Sequence, residues 1–195
     1  LDYNVKTKKQ SLYPYATTFY PLWAGIASLN QAKRLVNNLR YFEKPGGIVT
    51  SLRPTGLQWD YPYGWAPIQL ITIEGLYRYA FDEDAYRISH KFLAMVLKNY
   101  LRDKTIREKY DVVSGSSQTN IEIGYKMNVI GFGWTNGVFL VLLRKLPSYM
   151  IKNGLGIDQD IEIESLTQPR PKPKMNLLHS KHKGVEIKSH QIMHR

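Results

Sequence analysis

No cysteine occurs among the 195 residues. That excludes a disulfide scaffold and any thiolate zinc site, and it suits a reducing compartment. No apolar run approaches the about 18 residues that a membrane-spanning helix needs. The densest stretch, Val138 to Leu143, is far too short. No Asn-x-Ser/Thr sequon is present, so nothing directs N-glycosylation. Residues 1–20 lack the basic, apolar and small-residue order of a signal peptide. The chain opens on Leu1 rather than Met, which reads as a processed chain or a piece of something longer. Cytoplasmic and secreted settings are both compatible with these absences.

Hydrophobic residues make up 43% of the chain, enough for a packed core in a single domain. The net charge is +11, and it is unevenly spread. From Leu166 onward there are seven Lys/Arg and one acid, Glu186, and four of the five histidines lie there too. This segment begins Gln168-Pro169-Arg170-Pro171-Lys172-Pro173-Lys174, whose alternating prolines favour an extended chain without amide donors. Residues 166–195 are expected to be weakly structured and solvated. A basic arm for nucleic acid or acidic lipid is the rival reading, but the segment has no aromatic residue for base stacking. The histidine spacing fits no metal template.

Apolar periodicity predicts helices and long loops. Leu22, Trp23, Ile26 and Leu29 fall at near-helical spacing. Asn30 can cap a second helix that carries Leu35, Val36 and Leu39 on one face. Trp65–Phe81 reads as a helix buried on most sides. Asp84 can cap the next, with the stripe Ile88, Phe92, Met95, Val96 and Tyr100. Thr135 or Asn136 can cap a last helix through Val138, Leu140, Val141, Leu142 and Leu143. The alternation at Ile161-Glu-Ile-Glu is too short to carry a strand. The pattern implies an all-α fold of packed hairpins.

Two loops are longer and more aromatic than simple connections require, which marks them as functional. Residues 45–67 hold Arg53, Gln58, Trp59, Asp60, Tyr61, Tyr63 and Trp65. Flat aromatic faces suit the C–H surface of a sugar ring, and carboxylate, amide and guanidinium groups suit its hydroxyls. A rigid plug over helix ends accounts for the same composition. The second loop, Tyr110 to Trp134, follows Glu108, with Asp111 and Glu122 nearby. A carboxylate among other acids can act as a general base, and an exposed acid between Arg107 and Lys109 is the plainer alternative.

The motifs narrow this. Gln58-Trp59-Asp60-Tyr61-Pro62-Tyr63-Gly64-Trp65-Ala66-Pro67 resembles the second signature of the trehalase family, Gln-Trp-Asp-x-Pro-x-(small)-Trp-x-Pro, at every fixed position. Tyr20-Pro21-Leu22-Trp23-Ala24-Gly25, Thr50-Ser51-Leu52, Thr55-Gly56, Glu108-Lys109-Tyr110-Asp111-Val112 and Gly131-Phe132-Gly133-Trp134-Thr135-Asn136-Gly137-Val138 are similar to the family in order and spacing. So is Asp2-Tyr3-Asn4. The resemblance covers about residues 1–145.

It implies an α,α-trehalase of glycoside hydrolase family 37, an (α/α)6 toroid of helix hairpins of which only the C-terminal part is present. Residues 1–150 would be that part and 151–195 a divergent basic tail, weakly structured. The implied reaction splits trehalose into two glucoses with inversion, using no cofactor or metal. Inversion needs an acid and a base about 6.5–9.5 Å apart, so that a water fits between base and sugar. The resemblance assigns the base to Glu108 and sugar contacts to Gln58, Trp59, Asp60, Trp65 and Trp134. Gly124 stands where the family has a substrate-binding Glu before Tyr125, and Glu122 is the nearest replacement. The family's acid is an Asp in a region upstream of the matched one, and no residue here corresponds to it. A non-catalytic, trehalase-like sugar-binding or interaction protein is the alternative.

Overall fold

The computed structural model describes residues 3–155. A small hairpin of β1 (Tyr3–Asn4) and β2 (Lys9–Gln10) comes first. A 3-10 turn over Ala16–Phe19 runs into α1 (Tyr20–Ala24). Gly25 ends α1 in the left-handed conformation, φ 72°, which only glycine adopts without strain. The helical spacing that suggested one element from Leu22 to Leu29 is therefore split. Leu22 is buried, while Ile26 and Leu29 face solvent.

Next is α2 (Leu29–Asn37), and its cap is Ser28 rather than Asn30. The Ser28 hydroxyl accepts from the Gln31 N–H, and the Gln31 side chain accepts from the Ser28 N–H, a reciprocal capping box. The one-turn α3 (Leu39–Phe42) leads to a hairpin of β3 (Glu43–Lys44) and β4 (Gly47–Ile48). After the first long loop comes β5 (Tyr63–Trp65), which feeds α4 (Ala66–Arg78). Pro67 occupies the first turn of α4, where its missing N–H costs nothing. The predicted helix from Trp65 thus starts one residue later, with Trp65 itself in a strand.

The longest helix is α5 (Asp82–Asp103). Asp82, Glu83 and Asp84 fill its first turn and complement the helix dipole, and none of them is the cap. Ala85, Ile88, Phe92 and Val96 form the buried stripe, which runs out before the half-exposed Tyr100. After β6 (Lys109–Asp111) and the second long loop come α6 (Gly133–Lys145) and α7 (Ser148–Leu155). α6 begins before the predicted Thr135/Asn136 caps. Its Val138 and Leu142 are buried, while Leu140 and Val141 are exposed. α7 carries helix past the expected boundary at residue 150, and the rest of the predicted basic tail lies outside the described residues.

α4 is the hub. It packs on α1, α5 and α6, and α5 also receives α6 and α7. Gly75 lets α1 approach α4: a Cβ there would lie 2.7 Å from Leu22 Cβ and 2.8 Å from the Trp23 nitrogen. Gln69, fully buried on α4, reaches β4. Its Oε1 accepts from the Ile48 N–H (2.7 Å) and its Nε2 donates to the Ile48 carbonyl (2.6 Å). One helix side chain thus satisfies both backbone groups of a buried strand residue.

Glu43 ties β3 to α5. Arg87 Nε donates to its Oε1 at 2.8 Å and Lys91 Nζ to the same oxygen at 2.7 Å. Burial pushes the Glu43 carboxyl up, but the hydrogen bonds and charges of Arg87 and Lys91 outweigh it and hold it below its ordinary value of 4.5. A depressed carboxylate adds stability that is present above pH 4.5 and is lost as pH falls through the folded-state value. Melting temperatures between pH 6 and 3 should therefore fall less steeply for Glu43→Gln than for the unchanged chain. Parallel curves would show that Glu43 contributes nothing to acid sensitivity.

Candidate active site

The site is assembled by the pairing of β5 with β6. Their antiparallel register sets Tyr63 opposite Asp111, Gly64 opposite Tyr110 and Trp65 opposite Lys109. The end of the first aromatic loop is thereby joined to the Glu-Lys-Tyr-Asp segment. Residues about 45 positions apart in sequence become neighbours.

Glu108 stands just before β6, and its peptide is held on both sides. The Glu108 N–H donates to the Val129 carbonyl (2.9 Å). The Thr135 hydroxyl, from the first turn of α6, donates to the Glu108 carbonyl (3.1 Å). The next peptide is clamped by Asn128: its Oδ1 accepts from the Lys109 N–H (3.1 Å) and its Nδ2 donates to the Lys109 carbonyl (2.9 Å). The Glu108 carboxylate therefore starts from a backbone with little freedom. Glu108 is 7% exposed, which sets aside the reading of a plain surface acid.

Lys109 is 0% exposed. Its ammonium donates to Glu108 Oε2 (2.8 Å) and to the Met127 carbonyl (2.6 Å). It also lies over two rings, 5.2 Å from the centre of Trp65 and 4.9 Å from that of Tyr125. A buried charge needs a partner and hydrogen bonds, and here both are supplied. Among the described residues nothing donates to Glu108 Oε1.

Trp59 stacks on Trp65 with ring centres 3.8 Å apart and planes 7° apart. Trp134 stands edge-on to both, at 6.4 Å and 5.6 Å, and Phe132 leans on Trp134 at 4.6 Å. The Trp65 indole N–H donates to the Gln58 carbonyl (2.9 Å). Trp65 is 1% exposed, so it supports the cluster rather than offering a face. Trp59 is 38% exposed and offers one. Two buried polar atoms here have no partner among the described residues, Gln58 Oε1 and Trp134 Nε1. Such orphans cost free energy unless a ligand or water satisfies them.

Two predicted residues sit apart from this group. Both Asp60 carboxylate oxygens are taken, one by the Tyr13 hydroxyl and the other by the Thr55 hydroxyl. Asp60 thus holds the loop in shape, and its backbone accepts from the Tyr63 N–H (2.9 Å) to close the turn. Burial, with the Asp60 charge adding to it, pushes the nearby Tyr15 phenol up to about 12. Glu122 is exposed and lies against Gly56, whose carbonyl accepts from the Glu122 N–H (3.2 Å). The structure thus brings Glu108, Gln58, Trp59, Trp65 and Trp134 together and leaves Asp60 and Glu122 in the loop scaffold.

Lys109, Asn128 and Thr135 also belong to the site, through contacts that only the structure makes. Lys109 and Thr135 lie inside quoted motifs, so their types were visible and their contacts were not. Nothing in the sequence marked Asn128.

Helix hairpins whose long loops gather a buried carboxylate and a tryptophan platform define an all-α protein with its candidate site among the loops. The trehalase family profile matches residues 1–147, and the chain belongs to the trehalase family. It is similar to the cytosolic neutral trehalase of Kluyveromyces lactis, at 35% identity over 76% of this chain and 22% of that protein. It is also similar to the periplasmic trehalase of Xanthomonas campestris pv. campestris, at 40% identity over 75% of this chain and 26% of that protein. Among solved structures it superposes on the neutral trehalase Nth1 from Saccharomyces cerevisiae with a TM-score of 0.65 and 31% identity, over 86% of this chain and 28% of that one. The hairpins are part of the expected (α/α)6 fold. The chain spans about a quarter of the length of the curated relatives it matches.

Proposed function

We propose that this segment is the base-bearing wall of a trehalose-hydrolysing site. The observation that carries this is the Glu108 carboxylate: Oε2 is held by Lys109, nothing among the described residues donates to Oε1, and the ammonium that holds Oε2 lies over Trp65 of the tryptophan cluster. In an inverting reaction the base takes a proton from the water that attacks the anomeric carbon. Oε1 is the oxygen free to do so. Trp59, the exposed member of the cluster, offers its free surface to a glucose ring. Lys109 and Asp60 build the site without touching the sugar. The acid that protonates the bridging oxygen has no counterpart here, so the segment supplies half of the acid–base pair.

Titration calorimetry with trehalose tests the binding half. Trp59→Ala should weaken trehalose binding by about tenfold, the effect of losing about 1.4 kcal/mol of stacking. Equal affinity in the two chains would remove Trp59 from the sugar wall. The second reading, a sugar-binding protein without catalysis, is favoured by the missing acid. It predicts the same loss of binding, with no catalysis depending on Glu108.

A further inference from the structure

We infer that Lys109 is the positioning residue for Glu108, and that its ammonium charge, not its bulk, is what the site needs. This rests on the reading of Glu108 as the base. A carboxylate has two equivalent oxygens and a freely turning side chain, and a base must present one oxygen to one water. Lys109 removes that ambiguity by occupying Oε2 at 2.8 Å. Its ammonium cannot swing away. One N–H is spent on Glu108 and a second on the Met127 carbonyl, and the charge also sits over the Trp65 and Tyr125 rings. No water competes, because Lys109 has no exposed surface. Its backbone is pinned by Asn128 and by its register opposite Trp65. The result is a fixed cation on one side of the carboxylate and an open lone pair on the other. Because Lys109 is covered, it acts on the reaction through Glu108 and not through the sugar.

An α-glucosyl fluoride isolates the base from the missing acid, since fluoride leaves without being protonated. The water oxygen bonds to the anomeric carbon, the C–F bond breaks with its electron pair on fluoride, and the water's proton passes to Glu108. Fluoride release by this chain then reports the base alone. Lys109→Met should lower kcat by about 10²-fold, the scale of a misplaced reacting group, and leave KM within about twofold. Lys109→Arg keeps the charge but not the shape at this covered site, so its kcat should lie between those of Lys109→Met and the unchanged chain. The chain has no cysteine, so Lys109→Cys carries a single thiol. Alkylated in denaturant with 2-bromoethylamine and refolded, it regains an ammonium at nearly lysine length. Alkylated with 1-bromopropane, it regains the length without the charge. The aminoethyl form should recover most of kcat and the propyl form none.

Equal recovery in both forms, or an unchanged kcat in Lys109→Met, overturns the proposal while leaving Glu108 as the base. A chain that releases no fluoride, or a Glu108→Gln chain as fast as the unchanged one, overturns the reading of Glu108 on which the proposal rests.

Discussion

Glu108→Gln is expected to lower fluoride release from α-glucosyl fluoride by about 10²–10⁴-fold, the usual contribution of a general base. Trehalose affinity should barely change. The amide keeps the shape of the side chain and can still meet the Lys109 neighbourhood through its carbonyl oxygen, but it cannot accept the water's proton. Paired calorimetry and fluoride assays separate the two quantities. With trehalose itself as substrate, this chain alone should release negligible glucose with or without the change. Expelling glucose requires a proton on the bridging oxygen, and no residue here corresponds to the family's acid. Rapid glucose release by the purified chain would show that a substitute acid exists. Asp60, Asp111 and Glu122 are the acids to test first. Asp60 is the weakest of them, because both its oxygens already accept from hydroxyls of Tyr13 and Thr55.

The second large effect concerns stability. Gln69→Leu should destabilise the fold by about 2–5 kcal/mol, although the two side chains are similar in size and the site is fully buried. Gln69 serves both the N–H and the carbonyl of Ile48. Leucine would leave both buried and unpaired, at about 1–3 kcal/mol each. The added apolar contact offsets only part of that, since the site is shaped for an amide. Gln69→Glu should also be costly, because a carboxylate cannot donate to the Ile48 carbonyl and its charge would be wholly removed from water. Urea midpoints for the three chains decide it. A Gln69→Leu chain as stable as the original would mean that Ile48 finds other partners. β4 ties the first long loop to α4, so loss of this contact should also loosen the aromatic loop that follows.

The helices were legible where apolar spacing is regular and long. Ile88, Phe92 and Val96 lie on the buried face of α5 as their spacing predicts. Helix ends were less legible. Several residues can cap, and the choice depends on what else each can reach. Asn30 looks like a cap, but Ser28 pairs with Gln31 and wins. Thr135 looks like a cap, but its hydroxyl serves Glu108 instead. The short ladders left no periodic trace, because two or three residues are too few to show alternation.

The candidate site divides along the same line. The residue types of the Gln-Trp-Asp and Glu-Lys-Tyr-Asp motifs are contiguous, so the sequence by itself determined the family and the candidate base. It also determined the tryptophans, since three of them lie within those segments or in Gly-Phe-Gly-Trp. Only the tertiary structure decided which of these residues face outward. Trp59 and Trp65 are six positions apart in one motif, yet one is open and the other covered, because Trp59 lies on top of Trp65. Glu108 and Lys109 are consecutive charged residues that look like a solvated surface pair. The register of β5 with β6 puts Lys109 under Trp65, and Asn128 locks it there from 19 positions away. Burial then turns a weak surface ion pair into a fixed one, because a charge removed from water keeps its partner or is destabilised by several kcal/mol.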